Sequence, residues 1–432
     1  MKILAGLVIV AVTTTAGLRI SDAASVKPDD LITPENASAV ADLVSPGNLY
    51  LVKQGMRMKI VPADHIDYPT PYKNATEKYS PQVSLGSDGE LRNYVAGLPF
   101  PLVESNDPQA ALKVMWNFAF RPQYTDDVDI RDVEGVSHQS AGGMRGPVIH
   151  FTVGHFAYYN NVGRTEIPPI PTGPDATEGG ILYRFGAFPF LEPEDFRGVG
   201  LLRWRYKDPN KDDTAFIFVT SAGGFHIRQD VLSDAGGPVT IDPDSFFGFS
   251  PKIEDYTYKL LGVRPMLAVV HAAKVPEPMC QFDNQRTVCP ENWEMRQLYI
   301  VEATAKPRTW GQKIGSSGVV IPKRILYIDS EGWFITASDQ YDPGGKLWKT
   351  LATFNAYRDR PVPDAKVAIY PFKRMFQTAM VDEDVTTGFS TVLYMPGHES
   401  EERDCWYINM GLIPRSLLTP QGMLSNARGE SR

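Results

Sequence analysis

The stretch that decides the fold is Arg324-Ile325-Leu326-Tyr327-Ile328-Asp329, then Ser330-Glu331-Gly332, then Trp333-Phe334-Ile335-Thr336-Ala337-Ser338-Asp339-Gln340-Tyr341. Two runs rich in β-branched and aromatic residues flank a three-residue turn ending in Gly332. That pattern predicts a β-hairpin, because such side chains pack well on a pleated surface and glycine relieves the turn. Working outward, further runs read the same way. Strands are predicted at Pro147–Tyr159, Leu201–Tyr206, Thr214–Thr220, Pro265–His271 and Arg296–Ala303, then at Val362–Met380, Ser390–Met395 and Asp404–Met410. In Leu201–Tyr206 the period of two puts Leu202, Trp204 and Tyr206 on one face and Arg203 and Arg205 on the other.

Helices are expected only early. Thr33 before Pro34 predicts a helix start running to about Val44 and stopping at Ser45-Pro46-Gly47. Residues 62–82 read as an extended loop. Gln82–Leu85 and Glu90–Val95 flank Gly86-Ser87-Asp88-Gly89, a second hairpin signal. Asp107-Pro108 opens a helix over Gln109–Phe118, with Ala110, Val114 and Phe118 on one buried face. No βαβ alternation is visible. The fold class is therefore mainly β: one large antiparallel meander with a few packing helices. The expected organisation is a signal peptide over residues 1–23, an N-terminal extension over 24–144 packed on the main domain, a β domain over 145–420 and a loose tail over 421–432.

The 432 residues are 43% hydrophobic and 22% charged, with 36 glycines and 35 prolines, a globular composition rich in turns. The net charge of −8 gives no electrostatic reason to bind nucleic acid. Lys2, the uncharged run Ile3–Leu18 and the small residues Ser21 and Ala23 predict a secretory signal cleaved after Ala23. The alternative is a membrane anchor, but the run is about 16 residues where a span needs about 20. No cysteine follows the run, so no lipid anchor is expected. An exported chain meets an oxidising compartment. Cys280 and Cys289 are expected to form a short-range disulfide. Cys405 is then either buried and free or a competing partner.

Catalytic signatures are sparse. No G-x-S-x-G is found, and His398-Glu399 lacks the second histidine of a zinc helix. His150 and His155 are five apart, on opposite strand faces. Asp127, Asp129 and Asp132 read as a solvated acidic loop. A hydrolase with dispersed residues would use His226 or His271 with Asp195 or Asp329. No enzyme activity, cofactor or metal is expected. Trp204, Phe216, Phe218, Tyr299, Tyr327, Trp333 and Phe334 place large rings on neighbouring strands. A sheet curling round them would enclose an apolar cavity; the alternative is a filled sandwich core.

Four ordered sets of motifs carry a resemblance. They are Asn74–Tyr79 with Ala96–Pro101 and Asp107-Pro108 leading to Trp116-Asn117; Phe196–Gly200 with Arg205-Tyr206; Tyr258–Pro265; and Pro322–Arg324 with Tyr327–Asp329, Tyr341-Asp342, Gly345 and Leu347. In this order the chain, over roughly residues 45 to 428, resembles the bacterial exported family called domain of unknown function 1329 (DUF1329), grouped with the LolA/LolB lipoprotein-carrier superfamily. The resemblance implies a strongly curved antiparallel sheet, an incomplete β-barrel with helices at its mouth. It also implies a periplasmic carrier of a lipid or other hydrophobic amphiphile. The implied partners are an RND-type transporter or an outer-membrane protein. The residues then expected on the cavity wall are Trp204, Phe216, Phe218, Met266, Tyr299, Tyr327 and Trp333.

Overall fold

In the computed structural model the hairpin that opens the sequence reading is present. The structure describes residues 26–141, 144–219, 224–228, 243–272, 291–307, 321–361, 367, 369–395 and 405–427. The elements in chain order are β1 (Leu31–Ile32), α1 (Pro46–Lys53), β2 (Met58–Ile60), α2 (Thr70–Tyr79), β3 (Ser84–Leu85), β4 (Leu91–Arg92) and α3 (Ala110–Ala119). Then come β5 (Asp127–Ala141), β6 (Met144–Asn160), α4 (Pro174–Glu178), β7 (Ile181–Glu192), β8 (Gly200–Tyr206), β9 (Thr214–Val219), β10 (Gly224–Arg228), β11 (Tyr256–Ala268) and β12 (Glu291–Ala305). The chain ends with β13 (Lys323–Asp329), β14 (Ile335–Tyr341), β15 (Leu347–Arg358), β16 (Arg374–Asp384), β17 (Phe389–Tyr394), β18 (Trp406–Ile408) and α5 (Pro420–Ala427).

Asp329 makes the β13–β14 turn. Its side chain accepts from Glu331 N at 2.9 Å and Gly332 N at 2.6 Å, so the carboxylate replaces the ladder bonds that the turn lacks. Trp333 belongs to the turn and not to the strand, with φ +59°. Leu326, Ile328 and Ile335 then face α3, while Ile325, Tyr327 and Ala337 face the opposite layer. Both faces are covered, which is why the hairpin reads as near-continuous apolar sequence.

Among the described residues sixteen strands join one sheet, in the order β1-β2-β12-β13-β14-β15-β16-β17-β5-β6-β7-β8-β9-β10, with β11 also on β12 and β18 on β5. Among the described residues every pairing of these strands is antiparallel except the short parallel contact of β2 with β12. The sheet is mainly antiparallel and open, and it curls. Adjacent residues Ser245 and Phe246 show this. Ser245 Oγ accepts from Gln340 of β14 at 3.1 Å, and the Phe246 ring lies 5.1 Å from Phe156 of β6. Those strands are five steps apart in the sheet. A flat sheet would separate them by about 24 Å. The strands therefore wrap round the loop that carries both residues.

Several expectations change. Ser45-Pro46-Gly47 does not end a helix but starts α1, with Ser45 Oγ accepting from Asn48 N at 3.0 Å. The expected helix after Thr33 is a short 3-10 segment over Pro34–Val40. The loop expected over 62–82 contains α2. Asp127, Asp129 and Asp132 are not a solvated loop: they lie in β5, with Asp127 and Asp129 both 1% exposed. Backbone N–H groups of Met410 and Gly411 donate to Asp127, and Arg131 and His155 face Asp129. The expected boundary at 144/145 falls inside β6, after its first residue, and β5 pairs with β6 along its length, so residues of the expected extension form strands of the main sheet. Residues 421–427, expected as a loose tail, belong to α5, whose Met423 is fully buried against Phe188, Leu202, Phe216 and Phe218. The predicted signal peptide, the cleavage site and the cysteines Cys280 and Cys289 lie outside the described residues. Cys405 is buried just before β18.

Candidate functional site

A cavity of about 360 Å³ opens on the face of the sheet that carries α3. Its wall is built mainly from three sources, with Glu90, Leu91, Tyr94, Lys207 and Pro209 among the residues that complete it. The C-terminal end of α3 and the residues after it supply Trp116, Phe118, Phe120, Arg121 and Tyr124. Strands β6, β7 and β8 supply Tyr158, Asn160, Tyr183 and Arg205. The segment before β11 supplies Phe246, Phe247, Phe249 and Lys252.

Each wall is positioned by its own local chemistry. The buried Asn117 ties α3 to Phe100, accepting from Phe100 N at 2.9 Å and donating to Phe100 O at 2.7 Å. This fixes the rotation of α3, so that Trp116, Phe118 and Phe120 reach the cavity. The segment 245–250 is held from both sides. Arg324 Nη1 and Gln340 Nε2 donate to Ser245 Oγ at 3.2 and 3.1 Å. Arg203 Nη2 donates to Ser250 Oγ at 2.9 Å, and Arg205 Nη1 to Ser250 O at 2.7 Å. Between these anchors the backbone turns sharply, with φ +54° at Phe247 and +91° at Gly248. A side chain at Gly248 would meet Ile335 Cγ2 at 2.4 Å, so the close approach requires glycine. A phenylalanine in the left-handed region is strained, and such strain concentrates at binding sites.

The rings form one cluster. Phe246 lies 5.2 Å from Phe185, Phe247 lies 5.4 Å from Tyr124 and 5.8 Å from Tyr158, and Tyr94 lies 3.9 Å from Phe120. Burial pushes the Tyr124 hydroxyl up to about 12, and those of Tyr94 and Tyr158 well above the ordinary phenol range. All three remain protonated at neutral pH and are not bases; Tyr94 donates to Gly97 O at 3.0 Å, and Tyr124 accepts from Arg121 at 3.3 Å. Among the described residues the lining holds no histidine or cysteine. Such a wall offers apolar area and hydrogen-bond donors.

None of the seven residues expected on the cavity wall lines this cavity. Trp204, Phe216 and Phe218 sit on the opposite face, packed against Leu418 and α5, with Trp204 Nε1 donating to Leu418 O at 3.0 Å. Met266 and Tyr327 also lie on that opposite face, under Ile66 and Tyr68. Tyr299 and Trp333 are on the α3 side, stacked on each other with centroids 5.5 Å apart, and Trp333 donates to Tyr68 Oη. The period of two along Leu201–Tyr206 carries no information about which face is capped. The missed signal is Phe246-Phe247-Gly248-Phe249, three rings in a loop where exposure would be costly.

The residues considered for hydrolysis are engaged elsewhere. His271 Nδ1 faces Glu294 Oε1 at 2.8 Å, and Asp329 accepts from Arg296 Nε at 2.9 Å. Asp195 is exposed, and Arg197 pairs with Glu194 at 2.6 Å. The His226 side chain lies outside the described residues. Among the described residues no group of three His, Cys, Asp or Glu side chains is placed to hold a metal ion.

No curated protein matches the chain. Among solved structures it is similar to a domain from Vibrio parahaemolyticus described as outer membrane lipoprotein-sorting, at 13% identity and TM-score 0.45, covering 73% of this chain and 98% of that one. It is similar to a DUF1329 family protein from Desulfovibrio piger, at 14% identity and TM-score 0.43, covering 72% and 96%. A LolA superfamily protein from Nitrosomonas europaea follows at 14% identity and TM-score 0.35, covering 68% and 90%. The family model described as "Protein of unknown function (DUF1329)" matches residues 31–406, most of the chain, and the protein belongs to that family.

Proposed function

We propose that the protein is a non-catalytic carrier that binds a lipid or other hydrophobic amphiphile in the cell envelope. The observation that carries this reading is the ring-walled cavity between α3, β6–β8 and the segment 245–250. Its volume is at the lower end of small-molecule sites, which run from about 300 to 1,000 Å³. Burying one methylene is worth about 0.8 kcal/mol, so about ten methylenes supply roughly 8 kcal/mol before the cost of ordering the chain. A wall of rings and protonated phenols meets that need without a nucleophile or a base. The uncharged run Ile3–Leu18 after Lys2 supports export to the periplasm. An envelope carrier also needs a donor or acceptor for its cargo, and an RND-type transporter or an outer-membrane protein fills that role in this proposal.

The test is native and denaturing mass spectrometry, side by side, on protein purified from periplasm without detergent. An extra mass that disappears on denaturation, absent from a control periplasmic protein, is the expected result and identifies the cargo. A clean unliganded mass that persists after incubation with lipid extracted from the native membrane overturns the proposal.

A further inference from the structure

The cavity that holds the amphiphile is not electrically neutral. Its lining carries four cations, Arg121, Arg205, Lys207 and Lys252, and two carboxylates, Glu90 and Glu254. Two of these six are neutralised from outside the cavity. Arg205 is paired with Asp213 at 2.7 Å, and Glu90 with Arg92. That leaves Arg121, Lys207 and Lys252 against Glu254. Burial raises the affinity of Glu254 for its proton, with Arg205 and Lys252 acting in the other direction.

Arg121 is the unusual member. It is only 7% exposed, yet its guanidinium meets neutral acceptors only: Gln123 Oε1 at 2.8 Å, Phe118 O at 3.0 Å and Tyr124 Oη at 3.3 Å. The Phe118, Phe247 and Tyr124 rings lie 4.6, 5.0 and 5.3 Å from its central carbon. Among the described residues no carboxylate makes a direct ion pair with Arg121, Lys207 or Lys252, and Glu254 acts on Lys252 only at longer range. Lys252 is also buried, its ammonium donating to the carbonyl oxygens of Pro209 and Lys211. Ring faces and carbonyls offset a buried cation only in part, since most buried charges are paired. Three bonds to neutral acceptors leave two of the five guanidinium N–H groups unused.

Resting on the carrier reading above, we infer that the cargo is an amphiphile with an anionic oxygen headgroup, a carboxylate or a phosphate monoester, held by Arg121 with Lys252 and Lys207. A fork of N–H groups suits either headgroup. The rings that surround Arg121 then take the adjoining hydrocarbon.

The test uses the purified, delipidated full-length mature protein and four probes with the same C12 tail: dodecanoate, dodecyl phosphate, dodecanol and dodecyltrimethylammonium, each below its micellar concentration. Binding is followed by calorimetry and by the fluorescence change of Trp116, which lines the cavity. The expected result is that at least one anion binds ten-fold or more tighter than dodecanol, and that the ammonium binds more weakly than dodecanol. Which anion is tighter tells a carboxylate cargo from a phosphate one. Arg121→Gln and Lys252→Gln should each bring anion affinity toward the dodecanol value while leaving dodecanol binding unchanged. Arg121→Lys should restore part of the preference, which a purely structural role for Arg121 would not predict. Lys207→Gln, at an exposed position, guards against misfolding and should lower the anion preference alone. Equal binding of dodecanol and both anions, or an anion preference unchanged in the Arg121 and Lys252 variants, overturns this inference and leaves the carrier reading in place. Failure of all four probes to bind overturns both.

Discussion

Strand β8 has two faces with opposite fates. One presents Leu202 and Trp204, and it is closed by α5 and the residues before it, so that Leu202, Leu418 and Met423 are all fully buried. The other presents Arg203 and Arg205, which reach the segment 245–250 beside the open cavity. On sequence alone the ring-bearing face looks like the cavity wall; in the structure that face is closed, and the described cavity opens beside the arginine face. Ring content says that a face must be covered; what covers it decides whether it becomes core or site. When another part of the same chain covers the rings, the site forms where cover is incomplete.

The largest test breaks the closed face. Leu418→Asp puts a carboxylate against Phe188, Leu202, Phe216 and Phe218, beside an Arg184 guanidinium that is already paired with Asp175, and should cost about 3 kcal/mol or more. The measurement is a chemical denaturation midpoint, with amphiphile binding assayed on the fraction still folded. The closed-face assignment requires a large stability loss with binding affinity retained. A stable variant that no longer binds would move the site to this face.

The second test also concerns a covered face. Asp339 lies under α1, accepting from Gly47 N at 3.1 Å, Thr350 Oγ1 at 2.9 Å and Ser45 Oγ at 3.3 Å. Burial outweighs these bonds and pushes its carboxyl up to about 6. The native group is thus harder to ionise than the unfolded one. Its contribution to stability is present below about pH 4 and is lost as pH rises through about 6. Two pKa units correspond to at most about 3 kcal/mol. Asp339→Asn should therefore gain stability relative to the parent between about pH 4 and 6, with a constant difference above that. An unchanged difference across this window would show that Asp339 ionises freely in the fold.

These tests also show where local sequence suffices. The β13–β14 hairpin is legible because Asp329, Gly332 and the flanking runs are neighbours in the chain. The strand Asp127–Ala141 is not, since its acids are satisfied by Met410, Gly411 and His155, partners far away in sequence or across a strand pair. Helix α2 is hidden for a related reason: Pro71 and Asn74 argue for a loop, and the fully buried Tyr72, whose hydroxyl donates to Phe120 O at 2.7 Å, holds the helix by a tertiary contact. Helix α5 was missed because eight residues with one proline carry little local signal, and its evidence is Met423 at Gly200, a contact across the molecule. The cavity is hidden in the same way. Every element of its wall was present in the sequence, but their convergence depends on a sheet that curls.

The third test works on the open face. Phe246 is half-buried, with rings of Phe156 and Phe185 about it. Phe246→Ala should cost roughly 1–2 kcal/mol, below the 3–5 usual for a fully buried phenylalanine. Amphiphile affinity should fall about ten-fold, read by the same fluorescence titration. Stability lost without any change in affinity would mean that these rings are core and that the cavity is incidental.

The smallest test separates the two faces of β8 most cleanly. Trp204→Phe keeps a ring on Phe216, whose centroid lies 5.0 Å away, but removes the indole N–H that donates to Leu418 O and part of the ring face that Arg184 covers at 4.4 Å. One neutral hydrogen bond is worth about 1 kcal/mol, so the melting temperature should fall by a few degrees. The indole is on the closed side, and amphiphile affinity should not change. Trp204 is also the residue that composition and alternation would choose first for the cavity wall. A carrier whose affinity follows Trp204 has its cargo under α5, and the helix would then have to open to admit it. A carrier whose affinity ignores Trp204 but follows Phe246 binds on the side where Arg203 and Arg205 lie, because those guanidiniums hold the segment 245–250 in place and leave the wall beside it open.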